Sequence, residues 1–230
     1  MSKRCWIDFH THYDRQRPLK NSAENILRIV SVPLAESHLP LEENIFPTLE
    51  LHPWHGEDFS MLYEETAADK KFIGIGEVGL DRLRGKRELA EQINIFEQTA
   101  LLAENLNKPL TVHCVKCFSE ILELYKRLQW QVPTIIHYFR GNLALAQQLW
   151  QHTHFVLSLP PAIYTRHDVL KYLQDNPALL ERVVLETDDP HNGDIAAHYR
   201  RMAQELALKE EYLQDIMQLN LERIYHAGIF

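Results

Sequence analysis

Lys71-Phe72-Ile73-Gly74-Ile75-Gly76-Glu77-Val78-Gly79-Leu80-Asp81 is the stretch on which the reading of the fold turns. An apolar run, Lys71 to Ile75, leads into a glycine-rich end that carries two carboxylates, Glu77 and Asp81. A short run that is apolar at successive positions suits a strand buried on both faces, as in a parallel sheet covered by helices. Similar runs precede it at Cys5 to Phe9, Ile26 to Pro33 and Phe46 to Leu51. Others follow at Pro109 to Val112, Pro133 to Ile136, His154 to Leu159 and Val183 to Leu185. Between the later runs, apolar residues fall at helical spacing: Leu89, Ile93, Phe96, Ala100 and Ala103 in one segment, Phe118, Ile121, Leu122, Tyr125 and Leu128 in the next. Asn142 is placed to cap a helix carrying Leu145, Ala146 and Leu149. Eight alternations of strand and helix predict an α/β fold, the (β/α)8 TIM barrel. Pro18 and Pro40 interrupt the first two connections, so the first helices are expected to be short or missing. No repeat, Ser/Gly-rich linker or charge block cuts the chain, which reads as a single barrel domain over 1–230.

Composition narrows the functional classes. With 45% hydrophobic and 24% charged residues in 230, disordered and low-complexity classes are excluded. Lys and Arg number 24 against 32 Asp and Glu, a net charge of -8, which counts against a broad nucleic-acid footprint. No apolar run approaches the roughly 20 residues of a membrane span, so no membrane partner is expected. The N-terminus lacks a signal-peptide apolar region, and the chain has only three cysteines, which together suggest a reducing, cytoplasmic setting. The unusual count is histidine, at 13.

Barrels of this class build their sites at the C-terminal ends of the strands. Here those ends read Asp8-Phe9-His10-Thr11-His12, Gly76-Glu77-Val78-Gly79-Leu80-Asp81, His113, His137 and Glu186-Thr187-Asp188. Positions two apart in a strand share a face, so His10 and His12 can reach one ion together. Imidazoles and carboxylates converging on one mouth form a ligand set for one or two divalent metals. His152-Thr153-His154 has the same spacing but precedes its strand, at the opposite end of the barrel, and is expected to face solvent without ligating an ion.

In order along the chain, Asp8 to Asp14, Gly74 to Asp81, Val112-His113, Ile136 to Gly141 and Leu185 to Asp188 resemble the successive signatures of the TatD-related hydrolases. These are metal-dependent barrels of the amidohydrolase superfamily, several of which are deoxyribonucleases. Leu51-His52-Pro53-Trp54 resembles the family's His-Pro step, and Asn220 to Tyr225 its closing helix. The resemblance implies one ion held by His10, His12, Glu77 and Asp188. It implies a second held by Glu77, His113 and His137, with Glu77 as the bridge. Zinc, manganese and magnesium are the ions expected to serve, and the sequence does not choose among them. Two ions about 3.5–4 Å apart can clamp the attacking and leaving oxygens of a phosphodiester. Asp188, a catalytic candidate with Glu77, can also accept a proton from the attacking water. Asp8 is expected either to orient an imidazole or to plug the barrel floor.

The chain departs from the family pattern in its basic residues. Cys114-Val115-Lys116-Cys117 replaces the usual Ser-Arg-Asp-like step, leaving Lys116 as the nearby cation. The loop after Asp188 contains no basic residue through Asp194. Arg82, Arg84, Lys86 and Arg87 after strand four, Arg15, Arg17 and Lys20 after strand one, and Arg140 after strand six offer a compensating rim. His52, Arg82, Arg84, Lys116 and Arg140 are therefore the substrate-binding candidates. The leading expectation is a divalent-metal-dependent phosphodiesterase acting on DNA or RNA ends, an exonuclease-like deoxyribonuclease. The alternative keeps the metals but hydrolyses a small ester, amide or lactone. An inactive binding barrel is disfavoured, because no ligand position holds an apolar residue.

Overall fold

The computed structural model describes residues 4–13, 25–41, 43–189 and 193–225. Each expected run overlaps a strand: β1 Trp6–His12, β2 Ile26–Pro33, β3 Ile45–Leu51, β4 Gly74–Asp81, β5 Leu110–Val115, β6 Thr134–Ile136, β7 Phe155–Leu159 and β8 Val183–Leu185. They follow one another in one sheet in chain order, and β1 meets β8 through a parallel bridge from Thr11 to Asp188. That order is the (β/α)8 barrel expected from the sequence. The helices are α1 Met61–Ala67, α2 Leu89–Leu106, α3 Phe118–Leu128, α4 Leu143–Trp150, α5 His167–Asp175, α6 Ile195–Glu205 and α7 Glu210–Tyr225. Between β2 and β3 the described residues form only a 3-10 turn, Leu34–Glu36, in place of a helix. The rest of that expectation, with Pro18, Arg15, Arg17 and Lys20, lies outside the described residues, as do residues 190–192 of the loop after Asp188.

The chain divides into two compact units. One comprises Ser31–Leu41 and Phe46–His137. Its parallel strands β3, β4, β5 and β6 pair with Leu49 opposite Ile75, Gly79 opposite His113 and Leu110 opposite Thr134, and the register shifts once along each of the β3/β4 and β4/β5 ladders. All eight residues of β4 are buried, which explains why its sequence lacks a polar face. β4 continues to Asp81, beyond the apolar run ending at Ile75, because glycine here permits pairing rather than breaking the strand. A Cβ at Gly79 would run into the His113 carbonyl oxygen, so only glycine lets β5 approach this closely. Tyr63 of α1 is buried and donates its hydroxyl to the Leu49 carbonyl at 3.1 Å. Trp130, after α3, meets Phe96 of α2 and Tyr125 of α3 edge-on at 6.0 and 5.1 Å.

The other unit comprises Met1–Val30, Glu42–Ile45 and Tyr138–Phe230. Here α6 is fixed to β1 by the buried Tyr199, whose hydroxyl donates to the Ile7 carbonyl at 3.0 Å. Asn142 caps α4 as its position suggests, its side chain accepting from the Leu145 N–H at 2.9 Å. Asn220 of α7 donates to the Leu180 and Val183 carbonyls, both at 2.8 Å, and so seats the last helix beneath β8. His152 and His154 lie in the turn before β7, at the N-terminal end of the strand.

Candidate metal centre

Glu77 is 1% exposed in the middle of β4, an expensive place for a carboxylate unless donors surround it. Three imidazoles converge on its Oε1: His52 Nε2 at 3.2 Å, His137 Nε2 at 3.6 Å and, in closer contact, His113 Nδ1. Each comes from the end of a strand in the same unit, His52 after β3, His113 from β5 and His137 after β6. The backbone next to Glu77 is held as well. Its N–H donates to the Ser31 hydroxyl at 2.7 Å, and that hydroxyl donates to the buried Glu50 carboxylate at 3.0 Å. Glu50 in turn faces His55 Nδ1 at 2.9 Å.

The imidazole protons can be assigned from their neighbours. The Trp54 backbone N–H donates to His52 Nδ1 at 3.1 Å, so the neutral His52 ring carries its proton on Nε2 and presents it to Glu77. His52 is thus a hydrogen-bond donor that orients Glu77, although its nitrogen lies within 4.8 Å of the donor atoms of Glu77 and His113. His113 is arranged the other way. Its Nε2 faces Asp81 Oδ2 at 3.1 Å, and a proton placed there leaves the Nδ1 lone pair directed at Glu77. Carboxylate–histidine pairing of this kind prepares an imidazole to ligate a cation. Burial opposes ionisation of Asp81, but donation from Trp54, the Arg84 N–H, His113 and the Leu83 N–H outweighs it and holds the carboxyl below its ordinary pKa. An Asp81→Asn variant is expected to bind divalent metal about 10–100-fold more weakly. Metal titration of the purified variant checks this, and an unchanged affinity would remove Asp81 from the account.

The second group lies in the other unit. Asp188 follows β8 with a left-handed φ of 66°, a conformation that Asp tolerates better than most residues. Its backbone N–H donates to the His10 carbonyl at 3.1 Å. Its Oδ1 faces His12 Nε2 at 3.4 Å and His10 Nε2 at 3.8 Å, and the two rings meet edge-on at 5.0 Å. His10 is buried, whereas the side chains of His12 and Asp188 are 39% and 34% exposed. Asp8 takes neither of its expected roles in full. Its carboxylate accepts from the Thr187 N–H at 2.9 Å and the Thr187 hydroxyl at 2.5 Å, which fixes the residue before Asp188. Burial pushes its pKa up to about 7, against the pull of the Thr187 bonds. Nitrogen and carboxylate donors meeting in this way suit a divalent cation in each group.

The basic candidates divide by how they are held. Arg82 donates to the Lys116 carbonyl at 3.0 Å and pairs with Glu120. Arg87 pairs with Asp58 at 2.9 Å and donates to the Gly56 carbonyl at 2.7 Å. Lys116 is exposed, with a left-handed φ of 57°. Arg84 stacks on Trp54, and Arg140 sits over Tyr138 with 5.1 Å to the ring centre. Cys114 and Cys117 are free thiols, and burial raises the pKa of both.

Sequence reasoning passed over Ser31, Glu50 and the service of Asp81 and Trp54 to the ligand group. Glu50 carried a usable signal, a lone carboxylate between Leu49 and Leu51 in an otherwise apolar strand.

A parallel barrel with histidines and carboxylates gathered at its strand ends defines the class as a metal-dependent hydrolase. Residues 7–226 match the family model described as TatD related DNase, and the chain belongs to that family. A metal-dependent hydrolase of Methanocaldococcus jannaschii is 24% identical, over 95% of this chain and 92% of that one. The 3'-5' ssDNA/RNA exonuclease TatD of Klebsiella pneumoniae is 28% identical, over 63% of this chain and 57% of its own length. Among solved structures, YjjV, a TatD homologue of Escherichia coli, superposes with a TM-score of 0.79 at 18% identity, covering 97% of this chain and 98% of that one. Among the described residues, no helix is long and apolar enough to cross a membrane.

Proposed function

We propose that this hydrolase cleaves phosphodiester bonds at the ends of single-stranded DNA or RNA. The observation that carries the reading is the buried Glu77 carboxylate ringed by His52, His113 and His137. His113, His137 and Glu77, with His10, His12 and Asp188, are the residues that would hold one or two divalent ions. Their nitrogen-rich character favours zinc or manganese over magnesium. Bound ions supply Lewis acidity toward a phosphoryl oxygen. The protein's own residues do the rest. Asp188, partly exposed beside His12, takes the proton from the attacking water and returns it to the leaving oxygen. His52 and Ser31 keep Glu77 in place.

The relatives named as 3'-5' exonucleases support the substrate class, and the family match over residues 7–226 supports one hydrolase domain along the chain. Free thiols at Cys5, Cys114 and Cys117 support a reducing compartment such as the cytoplasm. One observation favours the small-ester alternative: Arg82, the first cation after β4, is occupied by Lys116 and Glu120. The test is a single-stranded oligonucleotide labelled at one end and incubated with the protein with and without chelator. Stepwise shortening that the chelator stops supports the nuclease. Turnover confined to small esters or lactones overturns the substrate class.

A further inference from the structure

Four cations follow β4, at Arg82, Arg84, Lys86 and Arg87, and of these Arg84 is the one that lies over an aromatic ring. Arg82 and Arg87 are engaged by carboxylates and carbonyls, as described above. The Arg84 guanidinium lies 3.7 Å over the Trp54 ring and is exposed. Stacking holds the plane of a guanidinium without using its N–H donors, which remain available for a bidentate oxygen ligand.

Trp54 is itself tied to the ligand group. Its indole N–H donates to Asp81 Oδ2 at 2.6 Å, the same oxygen that faces His113 Nε2. Its backbone N–H donates to His52 Nδ1, and its ring meets His52 and His113 at 4.7 and 5.4 Å between centres. The Arg84 backbone N–H also donates to Asp81, at 2.9 Å from Oδ1. Asp81 therefore anchors Arg84 twice, directly through the backbone and through Trp54 under the side chain. The result is a cation held over the Trp54 ring, one ring away from His113, beside a group that carries the Glu77 and Asp81 carboxylates.

We infer that Arg84, presented on Trp54, is the phosphate-recognising residue that selects phosphodiester substrates over neutral esters and lactones. The inference rests on the hydrolase reading above and deepens it by naming the substrate's anionic group. A neutral ester can accept only an ordinary hydrogen bond from a guanidinium fork, without charge pairing. A phosphate gains two parallel charge-assisted hydrogen bonds and relief from the carboxylates around it.

The test compares wild type with Arg84→Gln and Arg84→Lys, using a labelled single-stranded oligo-dT in the presence of chelator, so that binding is read without turnover. Arg84→Gln is expected to bind about 10-fold more weakly, the loss of a charge-assisted contact. The slope of log affinity against log salt should shrink by about 0.7, the signature of one phosphate contact in a single strand. Arg84→Lys should recover the salt slope and only part of the affinity, because the charge returns without the planar fork. In turnover with metal, KM for the oligonucleotide should rise while kcat stays within about twofold, and hydrolysis of a neutral p-nitrophenyl ester should not change. Equal affinity and equal salt slope in all three proteins would overturn the assignment of Arg84 while leaving the phosphodiesterase intact. Wild-type protein that neither binds nor shortens the oligonucleotide would overturn both readings.

Discussion

Glu77→Ala is expected to lower kcat/KM on a single-stranded oligonucleotide by about three orders of magnitude, the equivalent of roughly 4 kcal/mol of transition-state stabilisation. The size follows from the number of groups that depend on one carboxylate. His52, His113 and His137 all face Glu77 Oε1, so its removal takes away the proposed shared ligand and the acceptor of the His52 Nε2–H. Bound metal should fall in parallel. The fold should tolerate the change, because the Ser31 hydroxyl bond to the backbone N–H of residue 77 does not require the side chain. A Glu77→Ala protein that keeps more than a tenth of wild-type activity would contradict the assignment.

Asp188→Asn is expected to reduce kcat by about 10²–10⁴, the usual contribution of a positioned acid–base group. Asparagine keeps the volume and tolerates the left-handed backbone at this position, so the N–H bond to the His10 carbonyl should survive. What is lost is a charge beside His12 and His10 and a group able to take up a proton. KM should move little, which separates this variant from Arg84→Gln, where KM carries the effect. Steady-state kinetics on the same oligonucleotide distinguish the two, and a loss confined to KM would move Asp188 out of the chemistry.

The strand ends were legible because two physical rules act together there. Runs apolar on both faces marked the strands, and the residues that broke those runs on the C-terminal side were His10, His12, Glu77, His113, His137 and Asp188. The length of β4 was less legible, since Gly76 and Gly79 read as strand ends although they let β5 approach. The supporting residues were harder still. That Asp81 serves His113 and Trp54, or that Ser31 links Glu50 to Glu77, depends on rotamers and on pairings between strands far apart in sequence. The four cations after β4 were equivalent as letters. Partners tell three of them apart, Glu120 for Arg82, Asp58 for Arg87 and the Trp54 face for Arg84.

The imidazoles and carboxylates around Glu77, and those around Asp188, are each proposed to hold a divalent ion. Calorimetric titration of chelator-stripped protein with Mn²⁺ or Zn²⁺ tests this most directly, with His113→Ala titrated beside the wild type. Wild-type protein is expected to bind one or two ions per chain saturably, with affinity about 100-fold or more weaker in the variant. Absence of binding to the wild type, or equal affinity in both proteins, would contradict the assignment of these ligands.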